Sequence, residues 1–533
     1  MNELNGIGAL LRTNLRRDRL VLPICVATFA GVAGASAAAT ADLYPDPGSR
    51  ALAAQLINAT PALVALYGRI YDPTSLGAIG LIKLTGFGIA MVGLFALLIV
   101  IRHTRADEEL GRYELLAGGS VGRFAALAAS LVTAAIGVAG IGIVTALALI
   151  ATGLPTSGSL AFGLSWMVGG LAFAGIGAVA AQLTTSARAA RGLALLALAV
   201  AYLFRAAGDS IGGTEPAWPT WLSPIGWAQQ VRPYAGDRWA LAMLPVASGV
   251  VLVGLAIVLA RHRDLGAGLL PQRQGAAEAP PVLVGPFGLA WRLQRAAFLG
   301  WLAAFVLLSL VVGQMVTRIG DMLATPLARQ LITVLGGVDE VTKAFVAVEL
   351  SFVAIFASAY GISSTLRLLS EETATRADTV LSTPTGRVRW ALSHFLLAVV
   401  GSGILMVASG LSIGLAHAIE SGDRSVLGAD LLAAIVRMPA VWVLVGVSLA
   451  LYGLSRRAAP VAWAVLVATF LVSEIGPLLD LPQWVRDLSP YTHVPPLPGG
   501  EITAIPLLVM LAVASALVVA GLLTLRRRDL AVS

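Results

Sequence analysis

The carboxylates best placed to do chemistry in this chain come in two matched sets. Residues 107–123 read DEELGRYELLAGGSVGR, and residues 371–387 read EETATRADTVLSTPTGR. A constant shift of 264 carries Asp107 onto Glu371, Glu108 onto Glu372, Arg112 onto Arg376, Glu114 onto Asp378 and Arg123 onto Arg387. Glu109 adds a third consecutive acid to the first copy. Acids at the start of a short helix are favoured by its dipole, and they can offer charge to a basic groove on another protein. The plainer reading is a solvated turn closed by an i, i+4 pair between Glu108 and Arg112. A duplicated acidic segment favours docking, because fixed-period similarity reflects architecture rather than chance.

Bond-making chemistry is hard to find. A phosphate loop needs Gly-Lys followed by Ser or Thr, whereas Lys83 precedes Leu84 and Lys343 precedes Ala344. The five histidines are dispersed, no carboxylate cluster suits glycosyl transfer, and the single Cys25 excludes disulfides and thiolate metal sites. The chain is therefore expected to hold no cofactor or metal and not to hydrolyse ATP itself.

The elements that must position these acids lie in lipid. Only 12% of the 533 residues are charged and 57% are hydrophobic, against roughly 25% charged in soluble proteins. Apolar runs of about 20 residues, enough to span ~30 Å of hydrocarbon, predict twelve transmembrane helices. These lie at 20–41, 76–101, 124–151, 160–181, 192–207, 239–259, 298–317, 342–366, 390–417, 427–454, 459–475 and 503–525. The first run follows an Arg-rich start without a clear cleavage site and reads as a span rather than a signal peptide. Arginines cluster in alternate loops, at 12–19, 188–191, 261–273, 367–389, 456–457 and 526–528. The positive-inside bias makes that side cytoplasmic and places both termini there. Net charge +7 with 34 arginines against two lysines thus reads as topology and high-GC bacterial coding, with membrane lipid rather than nucleic acid as the partner.

The duplication extends past the acidic segments. WLSP ends at Pro224 and LSP at Pro490, and Arg261–Leu265 (RHRDL) matches Arg526–Leu530 (RRRDL). The chain is expected to form an all-α polytopic membrane protein of two pseudo-symmetric six-helix halves, 1–265 and 286–533, joined by a linker at 266–285. Even-numbered repeats share one orientation about the membrane normal. Each half opens with an amphipathic stretch, 5–19 and 286–297, expected to lie flat at the headgroups. In the first, Ile7, Leu10, Leu11 and Leu15 oppose Arg12, Arg16 and Arg19. In the second, Phe287, Ala290, Trp291 and Phe298 oppose Arg292 and Arg295.

Charges inside spans are costly and face protein or water. Lys83 and Glu349 fall near matching depths of the two halves, as do Arg205 and Glu474. Each basic residue could pair with the acid of the other half, which lowers its desolvation cost. The alternative is reach to water at the outer interface.

The pattern E-E-x-x-G-R-x-E-x-L-L, followed by Gly-Arg before a span, resembles the cytoplasmic loop after the second helix of ABC-2-type exporter permeases. The fused layout is similar to the twelve-helix polyketide-antibiotic exporters of the tetronasin-resistance kind. Departures are Gly119-Ser120 where Pro is expected in the first copy, and Ala374-Thr375 where Gly-Arg is expected in the second. They imply unequal coupling. The resemblance implies loops 102–123 and 367–389 that contact two copies of a separate ATPase subunit, which bind ATP and Mg. It also implies a substrate path between spans two, five, eight and eleven. The aromatics there are Phe87, Phe95, Tyr202, Phe204, Phe352, Phe356, Tyr360 and Phe470. The alternative for this aromatic set is packing against neighbours or lipid.

The expected function is the permease of an ATP-driven exporter of hydrophobic or amphiphilic compounds in the bacterial plasma membrane. A lipid or envelope-precursor exporter and a proton-driven twelve-helix carrier are the competing readings.

Overall fold

The computed structural model describes residues 3–59, 61–112, 121–264, 266–270, 281–283, 285–316, 338–474 and 482–529. Regular structure among these residues is helical throughout. The chain divides into two compact units, Met1–Gln274 and Gly275–Ser533, each with its own apolar core. The division falls inside the segment read as the linker.

In the first unit a short helix α1 (Ile7–Arg17) precedes six long ones. These are α2 (Val21–Leu43), α3 (Ile82–His103), α4 (Ala125–Ala151), α5 (Thr156–Leu183), α6 (Ala187–Ile211) and α7 (Met243–Arg261). The second unit holds α8 (Pro286–Val316), α9 (Val338–Thr365), α10 (Arg387–Ser421), α11 (Ser425–Val436), α12 (Met438–Leu454), α13 (Val461–Glu474) and α14 (Ala504–Arg527). Helices α11 and α12 make one crossing with a joint at Arg437, where Pro439 withholds its backbone donor. Among the described residues eleven helices are thus long and apolar enough to span a membrane, and α13 is apolar but shorter. The expected eleventh span, 459–475, corresponds to α13, and residues 475–481 lie outside the described residues.

Two local differences have physical causes. Span two was expected from residue 76, but Ser75 caps a separate short helix, Leu76–Gly80, and α3 starts only after Leu81. The separate flat helix expected at 286–297 is instead the opening of α8, which runs unbroken to Val316. In the first unit the corresponding break is real: Asp18 ends α1, and α2 starts at Val21.

Small residues let the helices approach closely, as membrane interfaces require in the absence of a hydrophobic drive. Helix α5 is the hub of the first unit and packs on α3, α4 and α7. A side chain on Gly163 would sit 2.2 Å from the Gly142 carbonyl of α4, and one on Gly93 2.5 Å from the Phe173 ring. In the second unit α12 packs on α14 with equal intimacy. A Cβ on Gly453 would lie 2.2 Å from the Gly521 carbonyl.

On the side away from the acidic segments, residues 212–242 fold back over the first unit. The Tyr234 ring wedges against Gly77 and Gly158, where added Cβ atoms would lie 2.5 and 2.1 Å from it. Its hydroxyl meets Ser159 Oγ at 2.9 Å, and burial pushes the phenol pKa up to about 12. Tyr234→Phe keeps the wedge and removes one buried hydrogen bond. It is expected to lower stability by about 1 kcal/mol, read as a small drop in thermal unfolding midpoint in detergent.

Candidate functional site

The acidic segments are built from the ends of helices. After α3 the chain forms a short helix, Arg105–Glu109, whose acids lie in its first turns. Asp107 accepts both guanidinium nitrogens of Arg17 (2.6 and 3.1 Å) and Nη1 of Arg112 (2.9 Å). Glu108 takes the fork of Arg263 at 2.7 and 2.9 Å, the Gly266 N–H at 2.6 Å and Nη1 of Arg105 at 2.8 Å. Glu109 accepts the Ala187 N–H at 2.8 Å and so joins Ser186 in closing the N-terminus of α6. Arg123 donates to the carbonyls of Ala260, Arg261 and Arg263 at 3.0–3.2 Å, which caps the C-terminus of α7.

The second unit repeats this arrangement. Glu371 accepts from Arg367 Nε at 2.9 Å and Arg376 Nε at 2.7 Å. Glu372 accepts from Arg528 at 2.5 Å and the Tyr452 hydroxyl at 2.7 Å, with Arg456 at 3.7 Å. Arg387 donates to the Arg528 carbonyl at 2.9 Å, beyond the end of α14. Glu108 with Arg263 and Glu372 with Arg528 are therefore one clamp made twice. In each unit it ties the segment after the second span to the exit of the last.

The side chains of Glu108, Glu371 and Glu372 are only 8%, 7% and 3% exposed. Sequence reasoning expected these acids to offer free charge to a partner. They instead spend it inside their own unit, because arginines delivered by helix ends reach them first. Arg112 pairs with Asp107 rather than Glu108. The hydrogen bonds to Asp107 and Glu371 hold the Arg17 and Arg376 guanidiniums above their ordinary pKa. Asp378 sits in the first turn of Arg376–Leu381, where the helix dipole favours it. Glu114 lies outside the described residues. Among the exposed residues of these segments are Glu109, Leu110 (62% exposed) and Arg112 in the first, and Thr373, Ala374, Thr375 and Arg376 in the second.

Sequence reasoning passed over Arg105, Arg263, Tyr452 and Arg528. For Arg263 and Arg528 a signal existed, since each is the third residue of the duplicated RHRDL and RRRDL. It also passed over a buried knot beside α1, where Asp18 receives His103 Nε2 at 2.5 Å and Arg102 at 2.9 Å.

The intramembrane charges have simpler surroundings than expected. Arg205 is fully buried, with Asp209 at 3.6 Å, the Leu66 carbonyl at 3.1 Å and the Tyr202 ring at 4.3 Å. Asp209 in turn accepts from Gln229 at 2.8 Å and Thr220 at 3.1 Å. Arg205 is thus compensated within its own unit by an i, i+4 acid. Lys83 lies in the first turn of α3, exposed, 6.0 Å over the Tyr67 ring. Glu349 is half-buried in α9, and Glu474 ends α13, its side chain outside the described residues.

Of the expected path aromatics, Phe87, Phe204 and Phe356 are exposed on their units. Phe352 and Phe470 pack with ring centroids 6.2 Å apart. Phe95 lies against Gly137 of α4, and Tyr202 donates to Leu66. Tyr360 is buried between Phe298 and Trp301, so the 352–356–360 stripe divides into core and surface.

Residues 283–526 match the family described as "Multidrug efflux system permease Rv1217c, C-terminal domain". The chain is 42% identical over 531 residues to "Multidrug efflux system permease protein Rv1217c" of Mycobacterium tuberculosis, covering 98% of this chain and 95% of that one. An all-α polytopic protein with eleven membrane-length helices among its described residues, 42% identical to that permease over 98% of its length, belongs to the Rv1217c family of multidrug efflux system permeases in the bacterial inner membrane.

Proposed function

We propose that this chain is the transport subunit of an ATP-driven exporter and takes its mechanical input through the two clamped acidic segments. The observation that carries the reading is the mirrored clamp. A segment fixed to the exit of its unit's last helix, at Glu108–Arg263 and again at Glu372–Arg528, can pass a push to the whole unit without yielding. Two copies of a separate ATPase subunit would supply that push, holding the ATP and Mg that this chain has no phosphate loop to bind. Nucleotide-driven closure would shift the population between inward-open and outward-open states. The cargo class is hydrophobic or amphiphilic, in keeping with the efflux name of the relative.

The docking surface is what the clamps leave exposed. Leu110 would be the apolar anchor, and the matching position of the second unit is Ala374, which makes the first segment the stronger handle. Leu110→Asp is expected to weaken ATPase-subunit binding at least tenfold, the loss of a modest hot spot, while Ala374→Asp costs less. Pull-down of the candidate ATPase subunit by each variant measures the difference.

The deciding experiment reconstitutes the chain with and without that ATPase subunit and follows ATP hydrolysis and drug export. Export should need both proteins and ATP. Export by this chain alone on a proton gradient would overturn the reading.

A further inference from the structure

The outward face of α1 has no role in the clamps, yet its rotation is fixed from three sides. Arg17 is held by Asp107, and Asp18 by Arg102 and His103. Asn14 Nδ2 donates to Thr133 of α4 at 3.4 Å. These anchors turn Ile7, Leu10 and Asn14 inward and leave one stripe outward. Gly8, Leu11, Arg12, Leu15, Arg16 and Arg19 share this open, shallow face. Arg12, Arg16 and Arg19 are exposed, and among the described residues none has a carboxylate within ion-pair distance.

Three features of this face select its occupant. It sets Leu11 and Leu15 beside Arg12, Arg16 and Arg19, so an occupant needs an apolar body and an anionic head. It runs directly into the start of α2, where Leu20, Val21 and Ile24 are 66%, 37% and 61% exposed, at the level where a bilayer begins. It also lies on the face of the protein that carries the acidic segments, the cytoplasmic one by arginine bias. We infer that this stripe is a binding site for anionic phospholipid of the inner leaflet. The headgroup would lie on Arg12, Arg16 and Arg19, and an acyl chain would run along Leu11 and Leu15. Because α1 is locked to the coupling segment and to α4, the guanidiniums are presented in fixed geometry rather than as a loose basic tail. The second unit differs: α8 runs on there without a break into its span, and its opening exposes Phe287 and Trp291 together with two arginines, Arg292 and Arg295.

The inference does not depend on ATP-driven transport, and its test needs only the purified full-length chain. In neutral detergent, the protein is titrated with phosphatidylglycerol and, separately, with phosphatidylcholine, and bound lipid is counted by native mass spectrometry. The wild-type chain should prefer phosphatidylglycerol, and added salt should weaken that preference. Each arginine near an anionic surface is worth about fivefold, so the triple variant R12Q/R16Q/R19Q should lose roughly a hundredfold in phosphatidylglycerol affinity. R12K/R16K/R19K should keep most of it. An unchanged thermal midpoint shows that the glutamine variant is folded, as expected for side chains that touch no acid. Equal binding of the two lipids by wild type, or undiminished phosphatidylglycerol binding by the glutamine variant, would overturn the inference.

Discussion

Glu372→Arg is expected to destabilise the second unit by about 3–5 kcal/mol, the cost of leaving a buried charge without its partner. The mutant side chain would face Arg528 and Arg456 in a site only 3% exposed, and the Tyr452 hydroxyl would lose its acceptor. The effect should appear as a lower unfolding midpoint and as loss of ATPase stimulation in the complex. Exchanging the charges, with Glu372→Arg and Arg528→Glu together, should recover much of the stability, because the clamp is a pair interaction. Glu372→Gln should fall between, since it keeps a hydrogen-bond acceptor but no charge. A normal unfolding midpoint for Glu372→Arg, or a double exchange no more stable than the single variants, would remove the clamp from the account. The same logic applies to Glu108 with Arg263. There Gln182 and the Ala267 carbonyl also hold the arginine, at 2.7 and 3.0 Å, so Arg263 keeps partners when Glu108 is removed.

Gly163→Val should be the most damaging single substitution in the first unit. Its Cβ would sit 2.2 Å from the Gly142 carbonyl and 3.0 Å from Ala146. Backbone cannot retreat from that contact without separating α4 from α5. Overpacking of this kind costs about 1–3 kcal/mol where side chains can adjust, and more where the obstacle is main chain. Because α5 also carries the contacts to α3 and α7, the expected result is loss of monodisperse protein on extraction. Gly453→Val should do the same through the Gly521 carbonyl. Gly192→Ala, where nothing lies within 4 Å, is the matched control and should behave as wild type. Normal yield and midpoint for Gly163→Val would mean that this crossing is not a close one.

Much of the architecture was legible because lipid imposes a one-dimensional rule. Backbone groups in hydrocarbon must be satisfied within the segment, so apolar run length alone locates helices such as α4, α5 and α10 closely. The short α13 and the unbroken α8 show where the rule loosens. A crossing can be met by a helix with flanking segments, and an amphipathic opening can continue straight into a span. The duplication was equally legible, since the acids, Arg123 with Arg387, and the RHRDL and RRRDL exits recur at nearly constant shifts.

Sequence by itself determined the placing of most helices, the doubled plan and the absence of a phosphate loop. Each of these depends on neighbours along the chain or on a repeat of it. Only the tertiary structure decided what the acids do. The partners of Glu108 and Glu372 lie about 155 residues away in each unit, and two carboxylates with the same local sequence can be solvated handles or buried clamps. Burial separates these cases, and it is set by which helix ends converge. The same holds for Asp18 against His103 and for Arg205, which finds Asp209 and Tyr202 on its own helix but reaches the Leu66 carbonyl only through packing of a second segment.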